Sequence, residues 1–300
     1  MTVAQEPSSS TGSKTLLQKY YATWESKIGY KLVLGDARHF GFYDHDTWWP
    51  FPVGRRLRAM EERVFKKLDL PAGSKVLDAG CGAGLVAIHM ARRGLKVQAV
   101  DLVDRHVRLA SRNVQKAGLQ SQIKAEKSSY QDLAYSDGAF DGIYTVETFV
   151  HATDPEVAAK ELVRVIRPGG RLAMHEYEFR SFDKMNRIQA NKKYEDLDKL
   201  AAMPELRRFH SGYIKSLLED AGMVDVQVED LSENILPMLR YFFVLAFIPY
   251  LIISFLGLQD HFANTVYGYF LYDASDEWRY VSVSARKPEL GERRVDSPRT

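Results

Sequence analysis

Cysteine is nearly missing from this chain: Cys81 is the only one in 300 residues. No internal disulfide can form, and a reducing compartment is expected. An excess of one charge sign is missing too. Forty-one Lys and Arg against 39 Asp and Glu leave a formal net charge of +2, too balanced for the basic face that nucleic acid requires. The N-terminal stretch lacks an apolar core, so it does not read as a signal peptide. Residues 1–14 and 288–300 are polar and are expected to be disordered tails. Long uncharged runs are absent except for one, Tyr241 to Leu258. The rest, 45% hydrophobic and 27% charged, is ordinary globular composition with a substantial core.

Thr15 to Ile28 has helical periodicity, with Leu16, Leu17, Tyr20, Tyr21 and Trp24 on one face. Arg55 to Leu68 reads as a second helix. Between them, His39 to Pro52 is aromatic and rich in turn residues, so it cannot be a regular element. Its rings are expected to cap the core or line a pocket, because so many are rarely left in water. From Lys75 onward strands alternate with helices, the pattern of a parallel sheet. Strands are expected at 75–78, 96–100, 122–127, 140–145, 170–176, 223–229 and 278–285. Helices fall at 85–93, 104–117, 155–166 and 211–221, and Arg167-Pro-Gly-Gly170 reads as the turn before the fifth strand. Ser181 to Arg208 is polar and is expected to be helical and to lie over the site.

The most informative stretch is Val76-Leu-Asp-Ala-Gly-Cys-Gly-Ala-Gly84. A short strand leads through Asp78 into glycines at 80, 82 and 84 and then a helix, the frame of a nucleotide site in an open α/β sheet. Asp101 ends the second strand, where a carboxylate accepts from the two ribose hydroxyls of a bound nucleoside. A dinucleotide site would take Gly-x-Gly-x-x-Gly without an acid, since Asp78 repels a pyrophosphate. Cys81 lies inside the turn with no base beside it in sequence, and reads as a small residue that fits there.

This Asp-x-Gly-x-Gly-x-Gly pattern resembles motif I of the class I methyltransferases, whose cofactor is S-adenosyl-L-methionine. Its sulfonium and amino group suit an adjacent Asp78. Tyr144-Thr-Val-Glu-Thr-Phe-Val-His-Ala152, the Pro168-Gly-Gly170 turn and a strand ending in Glu176-Tyr177 resemble the sterol C-methyltransferases, and quinone methyltransferases share most of that frame. The Asn-Pro-Pro-Tyr of many nucleic-acid methyltransferases is missing. The resemblance covers roughly residues 20 to 180 and lacks the sterol family's Tyr-Glu-x-Gly-Trp core. It implies a Rossmann-like, seven-stranded, mostly parallel sheet with helices on both faces, a last strand inserted antiparallel, an N-terminal helical cap and an apolar lid before that strand. The domains are then a cap at 15–70, a cofactor-binding core at 71–230, a lid or membrane-touching insertion at 231–277, and a final strand at 278–287.

The resemblance implies cofactor contacts from Asp78, Gly80, Cys81, Gly82, Gly84, Asp101, Ser129 and Tyr130. Ser129-Tyr130 stands where relatives carry an acid, with Ser129 meeting the adenine amino group and Tyr130 stacking on the ring or packing beside it. A substrate pocket is expected from Tyr21, His39, Phe40, Tyr144 and Tyr177. Glu147 and His151, four residues apart, would share one face of a helical turn. In a C-methylation Glu147 would stabilise a carbocation and His151 remove a proton; in an O- or N-methylation the pair would deprotonate the acceptor. The plainer alternative is that they only hold the turn. The histidines and acids at 39, 44–46, 175 and 176 lack coherent ligand spacing, so no metal is expected.

A single membrane crossing by 241–258 would strand the last strand away from its partners, and Pro249 would break a straight helix. That leaves an element dipping into one leaflet, a lid over an apolar substrate, or plain packing. The expected activity is methyl transfer to a small hydrophobic acceptor (sterol-like, prenylated quinone or secondary metabolite) in the cytoplasm, either free or peripheral to an intracellular membrane. The rivals are a regulatory protein that binds the cofactor without turnover and a nucleic-acid methyltransferase.

Overall fold

The computed structural model describes residues 15–181 and 201–292. The tail at 1–14, most of the polar segment 181–208 and the end of the tail at 288–300 lie outside the described residues.

Seven strands form one sheet: β1 Lys75–Ala79, β2 Lys96–Asp101, β3 Ile123–Lys127, β4 Phe140–Val146, β5 Ile166–Phe179, β6 Val224–Asp230 and β7 Trp278–Arg286, in the order β3-β2-β1-β4-β5-β7-β6. Strands β1 to β5 run parallel, and β7 inserts antiparallel between β5 and β6. In β1 every residue after Lys75 is buried, as a central parallel strand covered on both faces requires. The helices are α1 Leu16–Tyr20, α2 Trp24–Leu34, α3 Val53–Leu68, α4 Leu85–Arg92, α5 Asp104–Ala117, α6 Pro155–Val165, α7 Tyr213–Asp220, α8 Ser232–Phe255 and α9 Ala263–Asp273. Helix α6 shows how locally these are encoded. Asp154 accepts the Val157 N–H at 2.9 Å and Pro155 fills the first helical turn.

The structure departs from the sequence expectation at four places. The helix expected over Thr15 to Ile28 is two helices, because Thr23 is extended and its hydroxyl accepts the Ser26 N–H at 3.2 Å, starting α2 afresh. Arg167 to Gly170 belongs to β5 as an irregular stretch, with Gly169 at φ +70° and a register shift against β4. The aromatic loop divides: Phe40 and Tyr43 are buried, whereas Trp48 and Trp49 face solvent.

The fourth departure is Pro249, which does not interrupt α8. By length and composition α8 could cross a bilayer. It instead packs on α9, with Ala246 against Gly268, in a helical hairpin between the paired strands β6 and β7.

Candidate cofactor and substrate site

The carboxyl ends of β1, β2 and β4 open onto a cavity of about 290 Å³. Asp78, beside Tyr144 in the sheet register, lies at its floor. Burial pushes its carboxyl up to about 7, with Tyr144 opposing and Asp101 adding to the rise, and its Oδ2 has no partner among the described residues. Gly80 adopts φ +101°, and a Cβ there would stand 2.0 Å from Thr148 Oγ1. A Cβ on Gly82 would stand 3.1 Å from the Arg38 side chain, whereas Gly84 caps α4 and packs on Ala110. Gly84 is thus a packing glycine that does not line the cavity. Burial also raises the Cys81 thiol well above its usual range, which keeps it protonated.

Asp101 is held rigidly. Its Oδ2 accepts the Gly82 N–H at 2.9 Å, its Oδ1 accepts the Val103 N–H at 2.8 Å, and His106 Nδ1 lies 3.2 Å from both oxygens. Ser129 and Tyr130 form the adjoining wall, where the Tyr130 hydroxyl donates to the Thr148 carbonyl at 2.8 Å.

A second, more apolar chamber of about 400 Å³ lies between α2, the aromatic loop and the α8–α9 hairpin. Its walls include Val33, Phe40, Tyr177, Phe242, Leu245 and Leu271. Arg38, His39 and Glu147 line both cavities and form the partition between them.

Glu147 sits at φ +53° just past β4. Its Oε1 accepts the Phe40 N–H at 2.7 Å and the Tyr280 hydroxyl at 2.8 Å, and its Oε2 accepts the Tyr177 hydroxyl. Burial raises its pKa, against the pull of Tyr177, His39 and the other donors. His151 closes a 3-10 turn on the cofactor side, with Nδ1 2.8 Å from the Ala202 carbonyl and Nε2 3.4 Å from the Tyr21 hydroxyl. Burial lowers its pKa, so the ring is neutral; Nδ1–H then donates to Ala202, and Nε2 is left as an acceptor. Glu147 and His151 therefore serve different walls instead of sharing one helical face.

Of the residues expected at the pocket, Tyr21 and His39 line the cofactor cavity, and Phe40, Tyr177 and again His39 line the chamber. Tyr144 lines neither, because its side chain is fully buried in the core beside Asp78. His39 carries a buried ion pair. Burial opposes its protonation, but Glu61 Oε1, 3.5 Å from Nε2, outweighs that and raises its pKa. Glu61 Oε2 lies 3.3 Å from His89 Nδ1.

Around the site, Arg38 and Tyr280 carry no sequence signal of their own, and Glu176 is marked only as part of the Glu176-Tyr177 strand end. Arg38 stacks its guanidinium over Tyr21 and Tyr30 at 4.7 and 4.6 Å, and its Nε and Nη1 have no partner among the described residues. Tyr280 reaches Glu147 only because β7 inserts beside β5 with Tyr177 opposite Tyr280. Glu176 accepts the Thr148 and Phe149 N–H groups at 2.9 and 2.6 Å, which pins the turn carrying His151. No cluster of three or more His, Cys, Asp or Glu able to hold a metal occurs among the described residues.

The strand order, the glycine cradle under Thr148 and Arg38, and the acid ending β2 together define the class I S-adenosyl-L-methionine-dependent methyltransferase fold. The cavity fits that cofactor: its partnerless buried Asp78 oxygen suits a cationic ligand, and a side chain at Gly80 would fill the space. Residues 77–174 match the family model described as a methyltransferase domain.

The chain belongs to this family, whose cofactor is S-adenosyl-L-methionine. It is 41% identical over 285 residues to the S-adenosyl-L-methionine-dependent Diels-Alderase iccD of Talaromyces variabilis, covering 93% of this chain and 97% of the relative. It is 42% identical over 222 residues to the Diels-Alderase iliD of Neonectria sp. (strain DH2), covering 70% and 83%. The methyltransferase GfsG of Streptomyces halstedii is 30% identical over 209 residues, covering 69% and 73%. Among solved structures, the [4+2]-cyclase SpnF shares the fold with a TM-score of 0.69 at 20% identity, over 91% of this chain and 96% of that one.

Proposed function

We propose that this enzyme closes a ring in a lipophilic polyene by [4+2] cycloaddition, with S-adenosyl-L-methionine retained as a bound cofactor. The observation that carries this reading is the fixed state of Glu147. Phe40, Tyr177 and Tyr280 hold it in the partition between the cavities, as a fixed acceptor and not a free base. Near full-length identity of 41% with a Diels-Alderase supports the same reading.

Cycloaddition suits such a site. Two C–C σ bonds form as three π bonds become one, and no proton, electron pair or leaving group departs, so no base is required. The protein must fold diene and dienophile against each other and stabilise charge that develops on an activating carbonyl. The apolar wall of Val33, Phe40, Phe242, Leu245 and Leu271 enforces the folded conformer and excludes water. Arg38 has partnerless N–H groups on the partition and supplies the donor to the carbonyl. The cofactor, when bound, supplies a fixed positive charge.

Methyl transfer to carbon, nitrogen or oxygen of a small hydrophobic acceptor is the second reading. His151 favours it, as a neutral imidazole whose Nε2, 3.4 Å from the Tyr21 hydroxyl, is an acceptor on the cofactor side. Incubation with methyl-labelled S-adenosyl-L-methionine and a lipid-soluble extract of the native cells separates the two. The proposal predicts an unlabelled product with the mass of its precursor. A labelled product heavier by one methylene unit contradicts it and establishes the second reading.

A further inference from the structure

The α8–α9 hairpin and α2 carry apolar side chains that no described element covers. On α8, Val244, Ile248, Ile252 and Phe255 project outward, with Phe255 90% exposed. On α2, Trp24, Ile28 and Leu32 fall at i, i+4 and i+8 along one face, and Leu32 is 78% exposed.

The two stripes belong to one end of the molecule. The Glu25 carboxylate on α2 accepts the N–H groups of Asn264 and Thr265 at 2.9 and 2.7 Å, clamping α2 to the first turn of α9. That turn follows directly on the loop leaving Phe255, so Trp24 is brought beside the hairpin tip. Soluble monomers rarely leave an apolar surface of this extent in water.

We propose that this surface seats the enzyme on an anionic lipid bilayer, as a peripheral contact. Charge selects that occupant. Lys27 and Lys31 are exposed on α2 beside its apolar stripe, while Glu25, the acid among them, is engaged by α9. No charged residue occurs from Tyr241 to Leu258, and Asp260 is the only acid in the hairpin turn. Lipid phosphates and carboxylates complement these lysines, whereas a second copy of this face would bring no free acid to them beyond Asp260. The apolar residues lie down into the acyl boundary and the lysines reach the headgroups. The chamber lies between the same elements, lined by Gly29 and Val33 from α2 and by Leu245 and Gly268 from the hairpin. A lipophilic substrate therefore enters from the lipid without crossing water.

The test is co-sedimentation of the full chain with vesicles of phosphatidylcholine alone and with added phosphatidylserine. The expected result is binding to the phosphatidylserine vesicles, at least tenfold weaker for Lys27→Glu/Lys31→Glu and for Leu32→Glu/Ile248→Glu/Phe255→Glu. None of these residues lines either cavity, so unchanged S-adenosyl-L-methionine titration shows that the variants are folded. Protein that stays in the supernatant at every lipid concentration overturns the proposal. So does binding indifferent to lipid charge, or a dimer in sedimentation equilibrium that Ile248→Glu dissociates. The proposal stands or falls independently of the reaction catalysed.

Discussion

The Tyr280 hydroxyl donates to Glu147 Oε1 at 2.8 Å, and so ties the antiparallel last strand to the partition between cofactor cavity and substrate chamber. Tyr280→Phe keeps the ring and removes one of the donors to a buried carboxylate. A lost hydrogen bond to a charged group costs about 1.5–3 kcal/mol. Chemical denaturation is expected to show a stability loss of that order, with S-adenosyl-L-methionine affinity nearly unchanged. Equal stability of variant and parent would mean that the Tyr280 hydroxyl does not hold Glu147.

Asp78 predicts a pH dependence. Its carboxyl is raised from 3.8 to about 7 in the folded protein, so the folded state holds a proton that the unfolded state has released. Its contribution to stability is present below the unfolded value and is lost as pH rises through about 7. A cationic ligand prefers the ionised form. Calorimetric affinity for S-adenosyl-L-methionine should therefore rise by up to about tenfold between about pH 6 and about pH 8. Asp78→Asn should remove that part of the slope; parallel slopes for the two proteins would count against the assignment.

Gly80→Ala should abolish cofactor binding and destabilise the fold. Residue 80 has φ +101°, and its new Cβ would meet Thr148 Oγ1 at 2.0 Å, so both backbone and neighbour resist. A thermal midpoint lowered by several degrees and a flat calorimetric titration are expected. Tight binding by this variant would show that the turn is not the cofactor cradle.

The His39–Glu61 pair sets a second pH window. Burial raises the Glu61 carboxyl, but the adjacent His39 and His89 imidazoles prevail and hold it at about 2, so its contribution is present above its ordinary 4.5 and lost as pH falls toward 2. His39 is raised, so its contribution is complete below its ordinary 6.5 and lost above its folded value. Removing one partner of a buried pair costs about 3 kcal/mol or more. Chemical denaturation should show the largest wild-type advantage over Glu61→Gln near about pH 5 to about pH 6, shrinking on either side. An advantage independent of pH would mean that Glu61 acts by packing alone.

The sheet was legible because each strand, turn and helix is contiguous in sequence. Asp78, Gly80, Cys81, Gly82 and Asp101, expected to hold the cofactor, lie together along one cavity. The partition was only partly legible. Glu147 could be picked out, but its donors Phe40, Tyr177 and Tyr280 arrive from three distant segments through the antiparallel insertion of β7. Arg38 had no motif around it, and its significance lies in having no partner once folded. Pro249 reads as a break in a straight helix, yet α8 continues through it. Methyl transfer and cycloaddition cannot be separated by the glycine motif, since both readings use the same cradle.

The most direct test replaces S-adenosyl-L-methionine with a cationic analogue that has no methyl group to give, and follows conversion of the lipophilic precursor over many turnovers. The account predicts that an isomeric cyclised product continues to form at a rate comparable to that with the natural cofactor. Conversion that stops with the analogue, and that otherwise consumes one S-adenosyl-L-methionine per product, would contradict it.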